Sequence, residues 1–309
     1  MRHALTALTA ELKRLRAAGV KSIAVSDASL AALRHAMESR KSRGVKPAGQ
    51  VAVDAPAVIA PAAPPPTLRA PPVATAEPER KVDPSIPAPP VVTMLAGDKA
   101  TRWAALRDQV LNDPVCQEHV RPGKKVVFGV GSIDAKIMFV GEAPGADEEV
   151  QGEPFVGAAG QLLTKMINGM ALKREDVYIG NIMNWRPEMG SPTAGPQYGN
   201  RPPTPQEMAY CLPYLKAQIE VVNPALLVAL GSTAAQGLLG AGTFRTLGEV
   251  RGNWHEFAGR PLMITYHPSY ILRNPTNRSK RMIWEDLLKV MERASLPISE
   301  KQRGFFLGK

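Results

Sequence analysis

Four short apolar runs, Ile137-Met138-Phe139-Val140, Val177-Tyr178-Ile179-Gly180-Asn181-Ile182, Leu226-Leu227-Val228-Ala229-Leu230 and Leu262-Met263-Ile264-Thr265-Tyr266, constrain the fold more than any other feature. Each is too short for a buried helix and lacks the polar alternation of a half-exposed strand, so each reads as a strand covered on both faces. Helical periodicities fill the intervals. Leu162, Leu163, Met166, Ile167 and Met170 follow the first run. Met208, Cys211, Leu212, Leu215 and Ile219 follow the second, on a helix announced by Thr204 as cap and Pro205 at its first position. Ile283, Trp284, Leu287, Leu288 and Met291 follow the last. Strand and helix in alternation predict an α/β domain with a parallel, helix-flanked sheet. A hairpin is expected around Gly252 and Gly259.

That pattern occupies only part of the 309 residues. Residues 1–43 read as a basic helical appendage, with Leu5, Leu8, Leu12 and Leu15 and then Leu30, Leu33 and Met37 at helical spacing. Residues 44–95 turn to Pro and Ala with few large apolar side chains. Such a stretch buries too little surface to offset its ordering entropy and is expected to be a disordered linker. The globular domain is placed at 96–298, followed by a tail at 299–309. A net charge of +10 suits a polyanionic partner, because Lys and Arg gain affinity by releasing phosphate counterions. With no apolar run of membrane-spanning length and no signal-peptide pattern, the chain is expected to be cytoplasmic and nucleoid-associated. Two cysteines, Cys116 and Cys211, imply no disulfide framework.

In a parallel sheet the carboxyl ends of the strands lie along one edge and bind ligands there. The loops that begin at Gly141, Asn181 and His267 therefore meet in one crevice. They carry three acids on one loop (Asp147, Glu148, Glu149), the aromatic Phe155 between glycines, an amide and an imidazole. This set suits a flat polar heterocycle: Phe155 stacks on its face, Asn181 reads its edge, His267 donates to a carbonyl, and Glu142 with its neighbours holds a water or a cationic centre.

The motifs Gly141-Glu142-Ala143-Pro144-Gly145, Gly152-Glu153-Pro154-Phe155-Val156-Gly157, Asn181 before Arg186-Pro187, Asn200-Arg201-Pro202-Pro203-Thr204-Pro205 and His267-Pro268-Ser269-Tyr270 together resemble the family 4 uracil-DNA glycosylases of bacteria and archaea. The likeness runs over roughly residues 112–295 and leaves out the N-terminal helices and linker. It implies a three-layer sandwich with a central, mostly parallel four-stranded sheet flanked by helices. It also implies monofunctional hydrolysis of the N-glycosidic bond of deoxyuridine in single- or double-stranded DNA. By the same resemblance Ala143, Gly145, Phe155 and Asn181 bind uracil and His267 stabilises the leaving anion. Glu142, or failing it Glu148, serves the water. Leu272 and Arg273 form a minor-groove wedge, with Arg278, Lys280 and Arg281 on phosphates. A monomer is expected, with the N-terminal region binding DNA or another protein. Altered base specificity and a non-catalytic DNA-binding role stand as the rival readings.

The chain departs from the family at the four-iron, four-sulfur cluster. Of the four cysteine positions Cys116 and Cys211 remain, His119 stands at the second and Trp185 at the third. Two thiolates and one imidazole are too few ligands, so no cofactor is expected. No histidine lies between Asp134 and His255, which excludes the covalent DNA trapping of a related branch.

Overall fold

The computed structural model of the protein describes residues 83–189 and 199–307. The helical appendage at 1–43 and most of the linker lie outside the described residues. From Lys99 onward the order is α1 (Lys99–Leu111), α2 (Pro114–Glu118), β1 (Val130–Gly131), β2 (Ile137–Gly141), α3 (Ala146–Gln151), α4 (Ala158–Gly169), β3 (Tyr178–Asn181), α5 (Pro205–Val222), β4 (Leu226–Leu230) and α6 (Ser232–Leu239). There follow α7 (Leu247–Val250), β5 (Trp254–Phe257), β6 (Arg260–Thr265), α8 (Pro268–Arg273), α9 (Asn277–Arg293) and α10 (Glu300–Arg303).

The four strands read from the sequence form a parallel core, β3-β2-β4-β6. The sheet has six strands, because β1 pairs antiparallel to β3 at one edge and β5 antiparallel to β6 at the other. The β5–β6 hairpin is the one expected around Gly252 and Gly259. The pairing of β1 has no sequence signature, being two residues long.

Alternate residues of each central strand face opposite layers. Met138 and Val140 join Leu106 and Val110 of α1, Tyr214 and Leu215 of α5 and Ala234 and Ala235 of α6 in one apolar cluster. Ile137 and Phe139 join Leu163 and Ile167 of α4 and Leu287 and Met291 of α9 in the other. The chain leaves β2 through α4 on one face to reach β3, then crosses back through α5 on the opposite face to reach β4. The direction of winding reverses at β2, and its carboxyl end at Gly141 is the switch point where such sheets open a crevice.

Packed residues extend past both boundaries drawn from the sequence. Ile86, assigned there to the linker, is 4% exposed in the first cluster. In the segment read as a tail, Trp284 Nε1 donates to the Gln302 carbonyl at 2.6 Å and the Gln302 amide donates to the Gly169 carbonyl at 2.8 Å. Neither segment carries an apolar periodicity.

Candidate active site

Strands β2, β3 and β6 deliver Gly141, Asn181 and Thr265 to one edge, and the residues that follow them enclose a cavity of about 540 Å³. Glu142, Ala143, Gly145, Glu148, Phe155, Asn181 and His267 all line it, so the structure brings together every base-binding and catalytic residue expected from the sequence. Arg273 lines it too.

The pocket closes around Gly141. A side chain there would have its Cβ 2.4 Å from Asn181 Oδ1 and 2.5 Å from the Phe155 ring, so the amide and the ring meet only over a glycine. Phe155 sits at φ 55°, a left-handed conformation that costs a non-glycine residue of order 1–3 kcal/mol. This turn lays its ring against the His267 imidazole, with centroids 5.5 Å apart and planes 28° from parallel. Asn181 is 7% exposed, and its Oδ1 is buried without a hydrogen-bond partner among the described residues. An acceptor left in that state costs roughly 1–3 kcal/mol, which a ligand N–H would recover.

His267 caps α8: the Ser269 backbone N–H donates to its Nδ1 at 3.2 Å, and the Ser269 hydroxyl lies 2.9 Å from the same nitrogen. Since Nδ1 accepts, the proton of the neutral ring belongs on Nε2. Burial, with help from the Arg273 charge, lowers the imidazole pKa to about 4, so the ring is a neutral donor at physiological pH.

The two acids part company. Burial raises the Glu142 carboxyl above the usual carboxylate range, opposed by a hydrogen bond to Thr233 and the charge of Arg273. Glu148 instead accepts three backbone N–H groups, from Gly145 at 3.1 Å and from Val156 and Gly157 at 3.0 Å each. It ties the two ends of the loop together, which makes it a brace for the pocket wall.

Three contributors were given no role in the sequence reading, though Arg186 and Asn200 stand in its motifs. The start of α6 (Gly231, Ser232 and Thr233) closes the fourth side; nothing in Ser-Thr-Ala-Ala distinguishes it from an ordinary helix start. Asn200 stands on the rim, its Oδ1 accepting from Arg186 Nε at 2.7 Å. Arg186 is itself buried against Glu149 at 2.8 Å and donates to the Gly199 carbonyl at 2.6 Å. One guanidinium thus fixes both α3 and the Asn200 rim.

Of the DNA-binding candidates, Leu272 is 48% exposed at the end of α8, and Arg273 and Arg278 are exposed beside it. Lys280 is half-buried, its ammonium 5.9 Å from the centre of the Phe306 ring. Arg281 is committed to the carbonyls of Arg303 and Phe305, at 2.7 and 2.9 Å, and to Glu285. Arg281 thereby ties α9 to the C-terminal turn, which the sequence had not placed in the domain.

A parallel sheet core with a polar crevice at its switch point, lined by Phe155, Asn181 and His267, defines an α/β protein that takes its ligand at the carboxyl ends of the strands. A sequence model of the uracil DNA glycosylase superfamily matches residues 128–288. The chain is 44% identical over 165 residues to the type-4 uracil-DNA glycosylase of Thermotoga maritima, an alignment covering 53% of this chain and 80% of that protein. It is 42% identical over 160 residues to the type-4 enzyme of Archaeoglobus fulgidus (50% and 75%), and 39% identical over 179 residues to that of Saccharolobus solfataricus (56% and 77%). The chain belongs to the type-4 uracil-DNA glycosylase family.

The residues at the cluster positions do not fit an iron–sulfur cluster. Cys116 and Cys211 are both buried and free, but the other two positions hold an imidazole and the Trp185 indole, which has no lone pair to offer iron, so the donor set is one ligand short. Trp185, 1% exposed, has its ring 5.0 Å from that of His119 and 6.1 Å from that of Tyr210. Among the described residues no group of three His, Cys, Asp or Glu side chains is arranged to hold a metal ion.

Proposed function

We propose that the protein excises uracil from DNA, hydrolysing the bond between C1′ and N1 of deoxyuridine to leave an abasic site for base excision repair. The unpartnered Asn181 Oδ1 is the observation that carries this reading. Uracil offers N3–H to that acceptor and O4 to the amide N–H, while Phe155 covers the ring face. As the bond breaks, its electron pair stays on the base and the sugar becomes oxocarbenium-like. The Nε2–H of His267 donates to the carbonyl oxygen beside N1, where negative charge grows. Water then bonds to C1′, and Glu142 takes its proton. In this reading Leu272 and Arg273 fill the gap left by the extruded nucleotide, and Arg278 meets a phosphate.

No helix among the described residues is long and apolar enough to cross a membrane. We further propose a monomer in the cytoplasm beside the nucleoid, its basic N-terminal region binding DNA or a partner protein.

An oligonucleotide with a single uracil, treated with the protein and then with alkali, is expected to break at that position, and its cytosine and thymine counterparts to stay intact. Binding without scission would sink the reading.

The acids can be told apart. The Glu142 carboxylate is present above its raised pKa and lost as pH falls through it, so the acid limb of the single-turnover rate should lie above the usual carboxylate range near 4.5. That limb is expected to vanish in Glu142→Gln and to persist in His267→Asn. In Glu148→Gln an amide N–H would face backbone donors. The loss is expected to be stability, about 1–3 kcal/mol, read as a lower melting temperature.

A further inference from the structure

Around Trp185 the chain brings in a segment from outside the region that matches the superfamily. The Asp83 backbone N–H donates to Gln206 Oε1 at 2.9 Å, and Gln206 Nε2 donates back to the carbonyls of Asp83 at 2.9 Å and Ile86 at 2.8 Å. Ser85 donates to the Asp83 carboxylate at 2.6 Å and lies 3.3 Å from His119 Nε2, while His119 Nδ1 lies 2.9 Å from the Val115 carbonyl. Ile86 is buried in the same apolar cluster as Cys116, Trp185, Tyr210 and Cys211. Beneath them the Asp113 carboxylate accepts from the Cys116 backbone N–H at 2.7 Å and from the hydroxyls of Tyr210 at 2.9 Å and Tyr214 at 2.7 Å. Three separate pieces of chain, α2, the 183–186 turn and α5, are cross-linked by side chains at this one point.

We propose that this joint is built to hold without metal: the Trp185 indole and the strap at 83–86 together replace an inorganic cluster as the tie between α2, the 183–186 turn and α5. The geometry gives each part a task. Trp185 fills the interior with its indole, whose buried Nε1–H has no hydrogen-bond partner among the described residues, and its position sets the adjacent Arg186, which grips Asn200 and Glu149. The strap closes the outside, with Ile86 as an apolar plug and Ser85 and Asp83 engaging His119 and Gln206. His119, which stands at a ligand position, is thereby used as an anchor for the strap. A joint of this kind keeps the pocket wall in place when iron is scarce or oxidants are present. It also makes the last residues of the linker a working part of the catalytic domain.

The full-length protein tests this. Purified anaerobically from iron-replete cells, or incubated with ferrous iron and sulfide under reducing conditions, it is expected to hold only substoichiometric iron and to lack visible thiolate-to-iron absorption. Stoichiometric iron and sulfide in either preparation would overturn the proposal. With no metal present, Ellman's reagent is expected to leave Cys116 and Cys211 unmodified in the native protein and to label them in Ile86→Ala, whose melting temperature should fall by about 5–15 °C. Rapid labelling of the native protein, or an unchanged melting temperature in Ile86→Ala, would show that the strap does not seal the joint. Gln206→Ala, a milder change on the outside, is expected to raise thiol labelling in the same direction; labelling equal to that of the native protein would count against the strap.

Discussion

His267→Ala is expected to lower the single-turnover rate of uracil release by about 10²–10³-fold, the usual effect of removing one preorganised donor to a developing oxyanion. Its substrate affinity should change little, because charge appears on the base only as the bond breaks. The size of the effect rests on how the ring is held. Ser269 occupies Nδ1 and Phe155 lies along one face, so Nε2–H points at the base without having to reorganise. Neutrality matters as much as position. With a pKa near 4 the ring carries no charge that would have to be solvated in a closed pocket, and its protonation cannot produce a step in the rate near 6.5, where a free histidine titrates. The check is a single-turnover time course on a uracil oligonucleotide, with melting temperatures confirming an intact fold. A loss smaller than tenfold would remove His267 from the chemistry.

The sheet core was legible because its strands are buried on both sides, and burial on both sides writes a continuous apolar run. The placement of Gly141, Asn181 and His267 followed from topology alone, since parallel strands carry their ends to one edge. What stayed hidden lacks a periodic or compositional mark. The β1 edge is two residues long. The strap at 83–86 docks one isoleucine through backbone and amide hydrogen bonds, amid prolines that read as linker. Arg281 looks like a phosphate ligand in sequence, and only the fold of the last ten or so residues shows that it holds the C-terminal carbonyls. The contrast between Glu142 and Glu148 is of the same kind. Both acids fall on one loop, and which of them is spent on backbone N–H groups depends on a turn at Val156 and Gly157 that brings the chain back.

Asn181→Asp is expected to depress uracil cleavage by about 10³-fold or more and to create measurable cytosine cleavage. Uracil shows an acceptor at position 4 and a donor at N3; cytosine reverses both. A carboxylate keeps the acceptor that receives N3–H but sets a second, charged acceptor against O4, a repulsion the native amide does not have. Toward cytosine the same oxygen accepts from the exocyclic amine, and a protonated carboxyl donates to N3. Cytosine cleavage in the variant needs the introduced carboxyl protonated and Glu142 ionised, so its rate should pass through a maximum with pH and fall off on both sides. Asn181 Oδ1 is buried beside Gly141 and the Phe155 ring, where any side chain at 141 would collide with both. Paired rate measurements on uracil and cytosine oligonucleotides decide the matter: an unchanged ratio of the two rates would mean that Asn181 does not read the base edge.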